Sequence, residues 1–192
     1  VCYVRPQVEW INSAWWQWGA WTAAPLARWV RNSFRSVDWH EKISKWSDVR
    51  GVNKISVRLL SEDVVSDFCG LLGVKALPTS QNNTSLPGSI LRLFQGHSCL
   101  RPDAHSSAID FILARYIAVE DDPTPWVLGP NIIEKIISET RVSNERLLNL
   151  LDEESRKAMV DDPRWWDSSA YSARNKEPVL RKRIPYEQLD SV

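Results

Sequence analysis

The chain has 192 residues and balances 24 Lys and Arg against 24 Asp and Glu, for a formal net charge of zero. That balance excludes a protein devoted to nucleic acid, which needs a basic face to displace counterions. A 43% apolar and 25% charged composition excludes disorder over most of the length.

No run of 18 apolar residues could cross a membrane and no basic-then-apolar leader opens the chain, so a soluble, cytoplasmic protein is expected. Three widely spaced cysteines (Cys2, Cys69, Cys99) fit reduced thiols better than a disulfide framework. Eight of the 11 tryptophans precede residue 47.

Val1–Val4 reads as a strand buried on both faces. A chain that opens inside a strand is expected to be a fragment or a processed product. Pro6 suits the first turn of a helix, and Val8, Ile11, Trp15 and Trp18 then recur at helical spacing. Gly19 and Pro25 bracket the end of that helix. Asp38-Trp39-His40-Glu41 reads as a capping box, opening a helix with Trp39, Ile43 and Trp46 on one face.

Gly51-Val52-Asn53 turns into a second strand over Lys54–Leu60. Ser61 is expected to cap a helix with the stripe Val65, Phe68, Cys69 and Leu72, ended by Gly73. This is the grammar of an α/β domain with a parallel sheet. Two visible strands are too few for such a sheet, which implies further strands upstream.

Residues 75–89 read as loop. Helical stripes follow at Ile109, Ile112, Leu113 and Tyr116, at Ile132, Ile133, Ile136 and Ile137, and at Leu147, Leu148, Leu150 and Leu151. Asp121–Pro125 breaks the first two apart. Asp152, Glu153 and Glu154 read as a solvated first helical turn. One domain over residues 1–172 and a polar, basic tail over 173–192 are expected.

Arg5 lies at the carboxyl end of a parallel strand, where open α/β sheets bind ligands. Ser13, two helical turns on, could approach the same space, and a guanidinium with a hydroxyl at a helix start makes a phosphate clamp. The alternative is an Arg5–Glu9 pair and a helix-surface serine.

The segment Tyr3-Val4-Arg5-Pro6-Gln7-Val8-Glu9-Trp10-Ile11-Asn12-Ser13 resembles the 3′-phosphate-binding motif of sulfotransferases that use 3′-phosphoadenosine 5′-phosphosulfate. Ile55–Val64 with Asp67–Val74 is similar to that family's later strand and helix. Asn83-Thr84-Ser85-Leu86, and Ser143-Asn144 with Leu147, resemble bacterial members from surface-polysaccharide gene sets. The resemblance spans most of residues 1–160.

It implies the helix-rich C-terminal portion of a P-loop-like three-layer α/β sulfotransferase domain. Arg5 and Ser13 would hold the 3′-phosphate, a carbohydrate hydroxyl would be the acceptor, no metal would be needed, and a homo-oligomer is possible. The family's phosphosulfate loop, with its Lys, has no counterpart here and would belong upstream of Val1. The Arg-Lys-Gly segment of animal cytosolic members is also missing. The chain alone is therefore expected to be inactive and marginally soluble.

Transfer needs a base near the acceptor. Of His40, His97 and His105, only His40 lies in the stretch that should approach it, but a surface position at a helix cap is the better account of it, so no catalytic residue is assigned. Cys99 with His97 and His105 lacks a second ligand pair for a metal. Asn82 and Asn83 head glycosylation sequons that mean little without a leader. Trp10, Trp16 and Trp21 fall off the first helix's stripe, so two or three tryptophans are expected to line an acceptor cleft or a subunit contact. A non-catalytic glycan-binding or scaffold domain and a glycosyltransferase are the competing functions.

Overall fold

The computed structural model describes residues 1–22, 24–61, 63–76, 86–106, 108–116 and 122–174. The glycosylation sequons and most of the basic tail lie outside them. Among the described residues the protein is a helix-rich α/β chain with one two-stranded parallel sheet. No helix among the described residues is long and apolar enough to cross a membrane. The three cysteines are free thiols. The chain divides into two compact units, the first of residues 1–10, 34–82 and 130–172, the second of 11–33, 83–129 and 173–192.

In the first unit β1 (Cys2–Val4) pairs in parallel with β2 (Val57–Leu59), Tyr3 opposite Arg58. The second strand is shorter than the expected Lys54–Leu60 because β1 offers it only three partners. Flanking bonds from Cys2 N–H to the Ser56 carbonyl (2.8 Å) and from Leu60 N–H to the Val4 carbonyl (2.7 Å) close the ladder.

Helix α1 (Gln7–Gln17) follows β1 directly. Helix α3 (Trp39–Ser47) starts at Asp38, whose carboxylate accepts the Glu41 N–H at 2.9 Å. This confirms the cap, but Trp46 is 62% exposed and does not share the buried face with Ile43.

Helix α4 (Val64–Leu71) starts at Asp63 rather than Ser61: the Asp63 carboxylate accepts the Ser66 N–H at 2.9 Å and holds the helix start. It ends as expected at Gly73, whose φ of 67° lets the Val74 N–H return to the Cys69 carbonyl at 3.0 Å. The apolar stripe, however, is not the packed face, since Val65, Phe68 and Leu72 are all exposed.

The helix is tied to the sheet by Asp67, which accepts the Tyr3 hydroxyl (2.6 Å) and a fork from Arg58 (2.6 and 2.7 Å). At 100° per residue, Phe68, Leu72 and Val65 lie about 100–160° around the helix from Asp67. Holding the carboxylate inward turns the stripe outward.

The Arg58 fork and the Tyr3 hydroxyl hold the Asp67 carboxyl below its ordinary range. Partial burial and the bond to Asp67 push the Tyr3 phenol up to about 12. Because the folded state lowers the Asp67 value, its stabilisation is complete above the ordinary carboxylate range near pH 4 and is lost as pH falls through the folded value. Urea midpoints should therefore drop between pH 6 and pH 3 by more in the wild type than in Asp67→Asn. Equal drops would deny the triad this role.

The long helix α7 (Pro130–Leu147) buries Ile133, Ile136 and Ile137 as its spacing predicts. The leucine run beyond it is not one helical stripe. Leu147 ends α7, a 3₁₀ turn covers Leu148–Leu150, and Leu151 is extended and bridges to Val57. Helix α8 (Glu153–Asp161) starts at Asp152, which accepts the Ser155 N–H at 2.7 Å. Val4, Ile43, Val57, Leu147, Leu151, Met159 and Trp165 form the core of this unit.

In the second unit, α2 (Leu26–Ser33), α5 (Gly88–Gly96) and α6 (Ala108–Tyr116) accompany the later part of α1. Helix α5 begins inside the segment read as loop. Its start is held from a distance: the Asp122 carboxylate accepts the Ser89 N–H at 2.6 Å and the Asp122 carbonyl accepts the Gly88 N–H at 3.3 Å. Ile112 and Tyr116 of α6 are exposed, so the stripe expected there is not a buried one.

Candidate functional site

The strand-to-helix turn after β1 is the best-defined chemical feature of the first unit. Pro6 sets the φ suited to helix entry and has no N–H to satisfy. Trp10 N–H returns to the Pro6 carbonyl at 3.1 Å, while the N–H groups of Gln7, Val8 and Glu9 have no acceptor among the described residues. Such orphan donors, with the positive end of the helix dipole, favour an anion.

Arg5 stands at this turn, half-buried. The Trp39 indole N–H donates to its carbonyl at 2.9 Å, and Trp39 meets Trp10 edge-on at 5.8 Å between ring centroids. Arg5 has no hydrogen bond or ion pair through its guanidinium among the described residues. Burial lowers its pKa, and the charge of Glu9 acts in the opposite sense. The alternative Arg5–Glu9 pair does not form as a contact. Glu9 instead accepts from Arg164 at 3.1 Å, and Arg164 is also forked onto Asp162 at 2.8–3.0 Å.

Behind the turn, Gln7 and Asn144 exchange amide hydrogen bonds. Gln7 Nε2 donates to Asn144 Oδ1 at 2.5 Å, and Asn144 Nδ2 donates to Gln7 Oε1 at 3.3 Å and to the Trp165 carbonyl at 3.5 Å. Both side chains are buried. No sequence signal announces a pair 137 positions apart.

Ser13 is a half-buried residue of α1 with no hydrogen-bond partner among the described residues. The division between units runs through α1 after Trp10, so Arg5 belongs to the first and Ser13 to the second.

His40, the second residue of α3, lines a cleft of about 540 Å³ between α3 and α7. His97 and His105 are exposed. No cluster of metal-ligating side chains occurs among the described residues.

The tryptophans behave differently from their spacing. Trp16 and Trp21, off the α1 stripe, are buried, whereas Trp18, on it, is 37% exposed. Trp16 donates to the Pro125 carbonyl and Trp21 to the Trp16 carbonyl, each at 2.7 Å, so both indoles are bonded core of the second unit. Asn12 secures the same segment: its Nδ2 donates to the Pro125 carbonyl (3.3 Å) and its Oδ1 accepts the Val127 N–H (2.9 Å). Trp10 is half-buried against Trp39. No tryptophan is among the residues lining the α3–α7 cleft.

The fold and this turn define a helix-rich α/β protein with a cationic strand-to-helix turn. Comparison with protein-family models, curated proteins and solved structures finds no match to this chain.

Proposed function

We propose that this chain belongs to a sulfotransferase-type enzyme. It would move a sulfuryl group from 3′-phosphoadenosine 5′-phosphosulfate to a carbohydrate hydroxyl, on a P-loop-like three-layer α/β fold. The observation that carries the reading is Arg5: a half-buried guanidinium with its donors unspent, at the carboxyl end of a parallel strand and beside the orphan N–H groups of a helix start.

That donor set fits a phosphate, because a planar fork and aligned backbone N–H groups both prefer an anion. Arg164 occupies Glu9, the nearest carboxylate in sequence, which leaves Arg5 for a ligand. Ser13 is the second group assigned to the 3′-phosphate by the motif resemblance.

In the reaction, the acceptor oxygen forms a bond to sulfur while the bond from sulfur to the bridging phosphate oxygen breaks. Adenosine 3′,5′-bisphosphate departs with the electron pair, and the acceptor proton passes to a base. Arg5 contributes binding and orientation of the nucleotide and no proton transfer.

Titration calorimetry of the chain with adenosine 3′,5′-bisphosphate tests this. Arg5→Ala should weaken binding by about 10- to 100-fold, the range of a charge-assisted bond. Arg5→Lys should fall between, since it keeps the charge and loses the fork. Unchanged affinity in Arg5→Ala would sink the reading, and preferential binding of a nucleotide sugar would replace it with a glycosyltransferase.

A further inference from the structure

The α3–α7 cleft is separate from the Arg5 turn in its chemistry. Its volume lies within the roughly 300–1,000 Å³ of small-molecule sites, but its lining is polar. Val142 is the single large apolar side chain among the residues lining it.

Some of the polar groups are already engaged. Asp38 accepts the Ser143 hydroxyl at 2.6 Å in addition to capping α3, and Lys45 pairs with Glu41 at 2.6 Å. Five others are not: His40, Ser44, Asp48, Glu139 and Arg146 have no side-chain hydrogen bond or ion pair among the described residues. The free set mixes donors with acceptors on two facing helices. That pattern suits a ligand presenting several hydroxyls, each able to give and accept a hydrogen bond.

Charge narrows the class further. The lining carries four carboxylates (Asp38, Glu41, Asp48, Glu139) against two fixed cations (Lys45, Arg146), an excess of two negative charges apart from His40. A cation gains and an anion loses in such a field, by about 1 kcal/mol per close pair in water and more where water is displaced.

From these observations we infer that the α3–α7 cleft is a saccharide site selective for an amine-bearing sugar, taking uncharged sugars less well and uronates least well. This deepens the carbohydrate-acceptor reading above and rests on it for the sugar's role as acceptor, though not for the binding itself.

The test is an amide NMR titration of the full chain with glucosamine, methyl glucoside and glucuronate at low ionic strength. Shifts should map to α3 and α7, and glucosamine should bind about tenfold more tightly than glucuronate, a gap that narrows as salt is added. The double variant Asp48→Asn/Glu139→Gln should abolish that preference, since it removes the excess of two negative charges, and a preference that survives it would overturn the inference. Both positions are exposed, so the variant keeps the fold.

Glucuronate binding as tightly as glucosamine, shifts confined to other elements, or no sugar response at millimolar concentration would each overturn the inference. Adenosine 3′,5′-bisphosphate added to the same sample separates the two readings. A nucleotide response without a sugar response sinks the cleft assignment alone. A sugar response without a nucleotide response sinks the transferase and keeps the cleft.

Discussion

Replacing Asn144 by leucine should destabilise the chain by about 3 kcal/mol, lowering the thermal midpoint by about 10 °C for a chain of this size. Asn144 is fully buried and Gln7 is 2% exposed. Their two amides satisfy each other across 2.5 and 3.3 Å, with a further bond from Asn144 to the Trp165 carbonyl. Leucine matches the shape of asparagine closely, so the loss is electrostatic: the Gln7 amide keeps its burial and loses its partner. An unsatisfied buried polar group costs about 1–3 kcal/mol, and here a donor and an acceptor are stranded together.

The companion experiment isolates the cause. In Gln7→Leu/Asn144→Leu neither amide remains, and apolar replacement of both partners is close to neutral. Urea midpoints should therefore fall in Asn144→Leu and recover by more than half in the double variant. A double variant no more stable than the single one would show that the pair is not the source of the loss.

Gly19→Ala should cost about 3 kcal/mol through crowding in place of a lost bond. A Cβ at Gly19 would overlap the Trp15 ring and lie 2.7 and 2.8 Å from atoms of Trp29. The two indoles are themselves in edge contact, 5.6 Å between centroids at 76°, and Trp15 is 3% exposed. Neither ring can yield without disturbing the other, and close-packed interiors absorb little such displacement. Denaturation followed by tryptophan fluorescence would measure the loss. Gly19→Ala/Trp29→Leu, which removes one of the crowding rings, should be less destabilised than Trp29→Leu and Gly19→Ala combined additively. Strict additivity would place the cost in the backbone instead.

Much of the order of elements was legible in the residues. The helix that follows Pro6, the cap at Asp38 and the glycine end of α4 all depend on contacts within about five residues along the chain. Arg5 was legible for the same reason, as a cation placed by sequence between a strand and a helix. Its neighbours were not: the Trp39 bond to its carbonyl and the diversion of Glu9 to Arg164 join residues 34 and 155 positions apart.

The cleft was equally hidden. Asp38, His40, Glu41 and Ser143 stood out in sequence for other reasons, as a cap, a histidine near the acceptor stretch and part of a motif, whereas Glu139, Val142 and Arg146 acquire meaning once α7 lies against α3. Apolar spacing also misjudged which faces are buried. It favoured Trp18, Trp46 and the Phe68 stripe, which are exposed, and set aside Trp16 and Trp21, which are core.

By itself, then, the sequence determined the helix after the first strand, the Asp38 cap, the glycine end of α4 and that an arginine follows the first strand, because caps, turns and periodicity are local interactions. Only the tertiary structure decided which face each helix buries and which polar groups find partners. Burial is set by what arrives from distant segments, and at α4 the Asp67 carboxylate, held by Tyr3 and Arg58, turned the helix against its own apolar stripe.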